Sequence, residues 1–396
     1  MEIRKLTPDE HRAADVLESL SFIIPLAGEQ KEEKEDAYQP DRWGVFDDQN
    51  RLTATFTNHN LPFYLGGGIA AARGVAGVAS DPVSRGSGHV RALFAHVLRD
   101  DRANGALFSA LYPFSHLFYR KFGYEICYEH RKARFPTRAL KIYRTGDPPQ
   151  ARLLYPKDGT AALRPIYEAF ARRYTFMVAR DEHSWNRLRV ADPLKAEKYC
   201  YILSRGGRDI AYAVFSYRPG EKPYIRTLCL TDFAFVHHKA FNDLMGFLYR
   251  YTAQAQTTEI FLPEDLPIAT LLQESYKVEY ASGSWPMARA LHVENILKVM
   301  RHPAEDGVYT IDVEDAFLPE NGGGYSVRYA KDGAVTVSRF SGAADMRLSV
   351  QTFTQLALGY LGLRDAVFKP DVNIEGNRAT LEKVFERKVK FLLDFY

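Results

Sequence analysis

The stretch Val78-Ala79-Ser80-Asp81-Pro82-Val83-Ser84-Arg85-Gly86-Ser87-Gly88-His89-Val90-Arg91 restricts the fold of this chain more than any other. A short apolar run of strand type ends at Ser80 and a glycine-containing turn follows. Val90, Leu93, Phe94, Val97 and Leu98 then recur at helical spacing. A strand that feeds a helix through such a turn leaves the helix N-terminus open. Its first N–H groups have no intrahelical partner, and the helix dipole adds partial positive charge. Gly86 and Gly88 let the backbone approach an anion without a side chain intervening, and Arg85 and Arg91 add fixed charge. A pyrophosphate suits this turn. A plain strand-to-helix turn that takes glycine for geometry alone suits it equally. The turn is not a Walker loop, because no Gly-Lys-Ser/Thr closes it. It is not a dinucleotide fingerprint either, because the third glycine is missing.

The surroundings read as a mixed α+β chain. At 396 residues it is too long for one ordinary core, and two or three domains are expected. Thr7 caps a helix, with Pro8 in its first turn and Glu10 completing a capping box. A hairpin over residues 43–56 follows, turning at Asp47-Asp48-Gln49-Asn50. Residues 74–80 and 106–112 are strands on either side of the helix just described. The middle of the chain repeats this order without repeating the residues. Helices are expected over 160–174 and 182–190, a hairpin around Arg205-Gly206-Gly207, a strand at 225–231, a helix over 238–252 and a strand at 259–262. Strands at 287–293, 309–313, 325–329, 335–340 and 346–350 open a third segment. A helix over 351–360 and a terminal helix from about Ala379 close it. The expected domains are residues 1–146, 147–284 and 285–396.

Composition removes several functions. A net charge of +3 lacks the strongly basic balance of a general nucleic-acid binder. No apolar run reaches the length of a membrane span, and Met1-Glu2-Ile3-Arg4-Lys5 lacks the apolar core of a signal peptide. A cytoplasmic protein is the expectation. Cys127, Cys200 and Cys229 are widely spaced and read as three reduced thiols. No carboxylate or histidine cluster has metal-ligand spacing, so no metal is expected.

Two motifs give the turn a context. Arg85-x-x-Gly88-x-Val90 resembles the coenzyme A loop of the GNAT acetyltransferases, with Val90 where Gly or Ala is usual. Downstream stands Phe118-Tyr119-Arg120-Lys121-Phe122-Gly123-Tyr124-Glu125. Together they resemble one branch, the enhanced intracellular survival (Eis) family, in which a bulky apolar residue takes that second small position. The resemblance covers nearly the whole chain. Trp285-Pro286-Met287-Ala288-Arg289 and Arg347-Leu348-Ser349-Val350-Gln351-x-Phe353-x-Gln355-Leu356-x-x-Gly359-Tyr360 look like the third domain of that family.

The resemblance implies two tandem GNAT-like domains and a C-terminal sterol-carrier-like domain. It implies acetyl-CoA as cosubstrate and transfer of acetyl to a primary amine, as in Eis-type transferases of aminoglycosides, polyamines and lysine. Val78, Ala79 and Ser80 would pair through their backbone with the pantetheine arm. Arg85, Gly86, Ser87, Gly88, His89, Val90 and Arg91 would wrap the pyrophosphate. Phe114 and Ser115 match a further coenzyme contact. Tyr119 matches the general acid, and a phenol of pKa about 10 can protonate a departing thiolate. Tyr124 is its nearest rival and reads as structural. The carboxylate of Tyr396 matches the general base. Partners would be a small amine and, by the same resemblance, other copies of the chain in a hexamer.

Bland readings stand beside these. Tyr119 fits a packed aromatic, and the apolar end Phe391-Leu392-Leu393-Asp394-Phe395-Tyr396 fits a tail docked for packing alone. Phe235-Val236-His237-His238-Lys239 occupies the coenzyme-loop position of the second domain with no glycine or arginine, so that copy is expected to bind no coenzyme. His237 and His238 read as solvated or capping residues. Residues 29–36 read as a charged loop, and Gly66-Gly67-Gly68 as a connection. Two rivals differ in class: an aminoacyl-tRNA-dependent peptidyltransferase-like protein, and a non-enzymatic binder of apolar ligands.

Overall fold

The computed structural model describes residues 1–26, 39–188, 190–220, 222, 225–283 and 285–395. Residues 29–36 and Tyr396 lie outside them. The chain forms two compact units. One holds Met1–Tyr128 and Trp285–Lys388, and the other holds Glu129–Ser284 and Val389–Phe395.

The first unit begins as its cap residues dictate. The Glu10 carboxylate accepts from the Thr7 backbone N–H at 2.9 Å and pairs with Arg4 at 2.7 Å. The helix His11–Phe22 follows and buries Ala14 and Leu17, and Ile23 ends it in a left-handed conformation. The expected hairpin is Asp41–Phe46 with Leu52–Asn60, its turn closed by Asp47, whose Oδ1 accepts from the N–H groups of Gln49 and Arg51. A seven-stranded sheet runs in the order Glu2–Lys5, Asp41–Phe46, Leu52–Asn60, Ala72–Ser80, Phe108–Leu111, Met287–Ala290, Glu125–Ile126. Its core centres on the helix His89–Ala103, whose Leu93, Phe94, Val97 and Leu98 are fully buried against Trp43, Val45, Ala54 and Phe56.

The strand at Met287 is shorter than expected. It ends at Ala290, and Val293 starts the helix Val293–Val299, capped by His292. Met287–Ala290 pairs antiparallel with both Phe108–Leu111 and Glu125–Ile126. Arg289 on this strand is fully buried and ion-pairs with the buried Asp315. Asp315 also accepts from the N–H groups of Phe317 and Leu318, so its charge is fully satisfied. The same unit holds a five-stranded sheet in the order Val335–Phe340, Gly323–Tyr329, Gly307–Glu314, Met346–Ser349, Asn373–Ile374. The helix Val350–Ala357 leaves it, and the last helix, Arg378–Val384, ends well short of the terminus.

The second unit is built on a sheet of the order Gln150–Leu153, Lys198–Arg205, Arg208–Pro219, Arg226–Phe235, Thr257–Phe261, His130–Pro136, Glu279–Gly283. The helices Arg164–Ala171, Glu182–Leu188 and His238–Tyr249 stand where periodicity put them, each shorter than expected.

Candidate active site

The site starts from a mismatch in strand length. Ala72–Ser80 and Phe108–Leu111 run parallel, but their register extends only from Ala72↔Phe108 to Val75↔Leu111. On its other side Ala72–Ser80 stays paired with Leu52–Asn60 up to Ala54↔Ser80. That pairing crosses a bulge between Thr55 and Thr57, where Gly77 takes a φ of 62°. Beyond Val75 the two parallel strands part. Residues 76–80 keep an edge with no partner strand among the described residues.

A cleft of about 720 Å³ opens at this parting. Val78, Ala79 and Ser80 form its floor. Ser84, Arg85, Gly86, Gly88, His89, Val90 and Arg91 form one end, and Phe114, Phe118, Lys121 and Phe122 form a wall. Ser21 and Phe22, at the end of the first helix, complete it. Within the turn, Asp81 accepts from the Val83 N–H at 3.1 Å, and the Ser87 hydroxyl donates to the Ser84 carbonyl at 2.6 Å. Those bonds fix the loop without using the helix N-terminus. Gly88 is the N-cap of His89–Ala103, with no side-chain cap, and its carbonyl accepts from the Ala92 N–H at 2.9 Å. The first-turn N–H groups therefore stay available to an anion.

Both loop glycines have a φ of 87°, and a Cβ on either would meet nothing within 4 Å. Their need is conformational, and the space beside them is open. His89 Nδ1 is buried without a partner among the described residues. Arg85, Arg91 and Lys121 are exposed and form no ion pair among those residues. An open strand edge, an uncapped helix start, an orphaned imidazole nitrogen and three exposed cations outside any ion pair among the described residues, one of them (Arg91) lying over the Phe317 ring at 5.0 Å, fit an extended chain ending in phosphates. The donor set thus suits coenzyme A.

The sequence-predicted residues fall into two groups. Val78, Ala79, Ser80, Arg85, Gly86, Gly88, His89, Val90, Arg91 and Phe114 all line the cleft. Ser87 and Ser115 do not. Ser87 braces the loop, and Ser115 caps the short helix His116–Arg120 by accepting from the Phe118 N–H at 3.3 Å. Tyr119 sits one ring behind the wall, 3% exposed, with centroids 5.5 Å from Phe114 and 5.1 Å from Phe118. Its hydroxyl makes no hydrogen bond among the described residues, and burial pushes its pKa well above the usual phenol value. Tyr124 differs. It is fully buried and its hydroxyl is bonded to Ser109 at 2.7 Å. Phe118, Lys121 and Phe122 escaped assignment as binding residues. Their spacing of three and four on one helical turn was the available signal.

Comparisons with known proteins agree with this architecture. A family model described as an acetyltransferase (GNAT) domain matches residues 2–127, and another of the same description matches residues 177–289. A sterol carrier protein domain matches residues 293–392. No curated protein matches significantly. Among solved structures, a GCN5-related N-acetyltransferase from Anabaena variabilis is 17% identical with a TM-score of 0.85, each chain covered over 100%. One from Kribbella flavida is 19% identical with a TM-score of 0.81, covering 100% of this chain and 98% of that one. Eis1 from Mycobacterium abscessus is 20% identical with a TM-score of 0.81 and 100% coverage of both. The chain thus carries two GNAT domains and a sterol carrier protein domain, and it shares its fold with these solved structures.

The second GNAT domain of this chain is closed where the first is open. Arg226–Phe235 and Thr257–Phe261 also run parallel and part beyond Leu230↔Ile260. Here His237 Nδ1 accepts from the Ala240 N–H at 3.0 Å and caps the helix that follows. This bears out the capping reading of His237. The chain's last described residues fill the parting. Phe391 is buried against Phe170, Tyr174 and Phe233. The buried Arg180 pairs with Asp232 at 2.7 Å and Asp394 at 2.9 Å. Phe395 stacks on His130 at 4.7 Å. Among the described residues no group of three or more His, Cys, Asp or Glu is placed to hold a metal.

Proposed function

We propose that this chain transfers acetyl from acetyl-CoA to a primary amine by direct attack, in the first GNAT domain. The GNAT fold supports acyl transfer as a class. The observation that carries the finer reading is the parting of the parallel strands beside an uncapped helix start. It offers an extended arm a strand edge and a pyrophosphate an anion cradle. The thioester, when bound there, supplies the electrophile.

Each residue then has a task. Val78, Ala79 and Ser80 hold the arm through their backbone. Residues 85–91 hold the pyrophosphate, with Ser87 acting through loop geometry. Phe114 covers the coenzyme, and Ser115 orients the helix that carries Tyr119. The Tyr119 phenol keeps its proton throughout the neutral range, because burial disfavours the phenolate. The same desolvation raises the proton affinity of a thiolate leaving beside it, so the phenol remains a competent donor. The Tyr396 carboxylate is the proposed base. The residues before it are packed and ion-paired within the second unit and are not a frayed tail. Cytoplasmic operation and assembly as a hexamer belong to the same reading, and sedimentation velocity tests the latter.

Two experiments test the function. Calorimetric titration should show acetyl-CoA binding, and thiol release should appear with at least one of a panel of aminoglycosides, polyamines, lysine peptides and simple amines. Absence of binding would overturn the reading and favour an aminoacyl-tRNA-dependent transfer. Deleting Tyr396, or extending the chain beyond it, should abolish turnover and leave coenzyme binding intact. Full activity in the extended protein would remove the carboxylate as base.

A further inference from the structure

One carboxylate stands where the parallel strands part. Glu18 lies on the helix His11–Phe22, three and four residues before the cleft-lining Ser21 and Phe22. Residues so spaced share a helix face. A Cβ built on Gly77 would lie 2.8 Å from Glu18 Oε1 and 3.1 Å from Oε2. The carboxylate is therefore set against the backbone of Gly77, the bulge residue immediately before Val78 in the cleft floor. No side chain separates it from the strand.

Its orientation is fixed from the other side. Arg42, on Asp41–Phe46, donates through Nη2 to Glu18 Oε1 at 2.9 Å and pairs through Nη1 with Asp15 at 2.9 Å. Glu18 Oε2 has no hydrogen-bond partner among the described residues. One guanidinium against two carboxylates leaves room for one more positive charge. Burial disfavours the Glu18 carboxylate form, and a bound cation would offset that cost.

The cleft supplies a direction. With pyrophosphate at residues 86–89, an arm running back along Ser80, Ala79 and Val78 points its reacting end at Gly77. We infer that Glu18 recognises the acceptor, its Oε2 binding the ammonium group of a protonated aliphatic amine at the strand parting while Arg42 acts as positioning residue. This inference rests on the acetyltransferase reading above.

The test compares an alkylamine, protonated at pH 7, with an arylamine of similar size, neutral at pH 7, in thiol-release kinetics. Glu18→Gln should raise KM for the alkylamine by about tenfold, the scale of one lost charge-assisted contact. It should leave KM for the arylamine and for acetyl-CoA unchanged. An equal effect on both amines, or none, overturns the inference while turnover itself upholds the acetyltransferase reading. A second measurement uses the unaltered protein and does not depend on the variant folding. Tetramethylammonium should compete with the alkylamine and not with acetyl-CoA, and failure to compete overturns the inference. Absence of thiol release with every amine would instead sink the acetyltransferase reading, and this inference with it.

Discussion

At the residue scale, two tyrosines in one motif have opposite physical situations. The Tyr119 hydroxyl is unbonded among the described residues, whereas the Tyr124 hydroxyl is bonded to Ser109. Tyr119→Phe should therefore lower kcat by roughly 100-fold, the ordinary worth of a general acid, with acetyl-CoA affinity and folding stability unchanged. Tyr124→Phe should do the reverse, costing about 1 kcal/mol of stability with turnover intact. Steady-state kinetics and denaturant midpoints on both variants check this pair. The sequence offered both phenols in the same eight residues. Which one was spoken for depended on Ser109, fifteen residues away on the strand Phe108–Leu111.

At the element scale, the Gly86-x-Gly88 turn and the helix it opens behave as one device. Gly88 sits at a φ of 87° with open space where a Cβ would go. Gly88→Ala should cost about 1 kcal/mol for the left-handed backbone. Its methyl group would also intrude on the anion site, so calorimetry should show acetyl-CoA affinity falling by about tenfold or more. The far end of the same helix carries Asp101, buried and bonded to Asn58 at 2.8 Å, with Arg73 at 3.4 Å. Burial, only partly offset by Arg73 and the Asn58 amide, pushes its carboxyl from 3.8 up to about 7. Between these values the folded chain holds a proton that the unfolded chain releases. The contribution of Asp101 to stability therefore falls as pH rises from about 4 to about 7 and is level above that. Thermal melts of the protein and of Asp101→Asn should differ in slope across this window and run parallel above it. Both ends of this helix were legible as an element. Periodicity gave its apolar face, but burial of an acid at its end is invisible to periodicity.

At the scale of the whole molecule, the first unit joins stretches far apart in the chain. Met287–Ala290 lies between Phe108–Leu111 and Glu125–Ile126, and Arg289 on it meets Asp315 in full burial. Arg289→Met should leave that carboxylate buried and uncompensated and cost about 3–5 kcal/mol, readable as a shift in urea midpoint. Its size would show that the inserted strand is part of the first core. In the second unit the returning residues Val389–Phe395 occupy the parting that in the first unit forms a cleft. One strand arrangement thus serves twice, once open with a bare helix start, and once filled by Phe391 and Asp394 beneath a helix capped by His237.

The sequence by itself determined the elements and the chemistry of the turn at residues 78–91. Strand, glycine turn and amphipathic helix are local signals, set by backbone freedom and by apolar spacing over a few residues. It also placed glycine and arginine at one turn and neither at the other, which is why the phosphate site is proposed for the first copy alone. Only the tertiary structure decided that Val78, Ala79 and Ser80 have an open edge, because that depends on where a neighbouring strand stops. It alone put Tyr119 behind the aromatic wall and set Glu18 against Gly77. The placement of Glu18 comes from a contact 59 positions apart, and that of Tyr119 from edge-to-face packing that includes Phe94 on another element, and no local pattern encodes them.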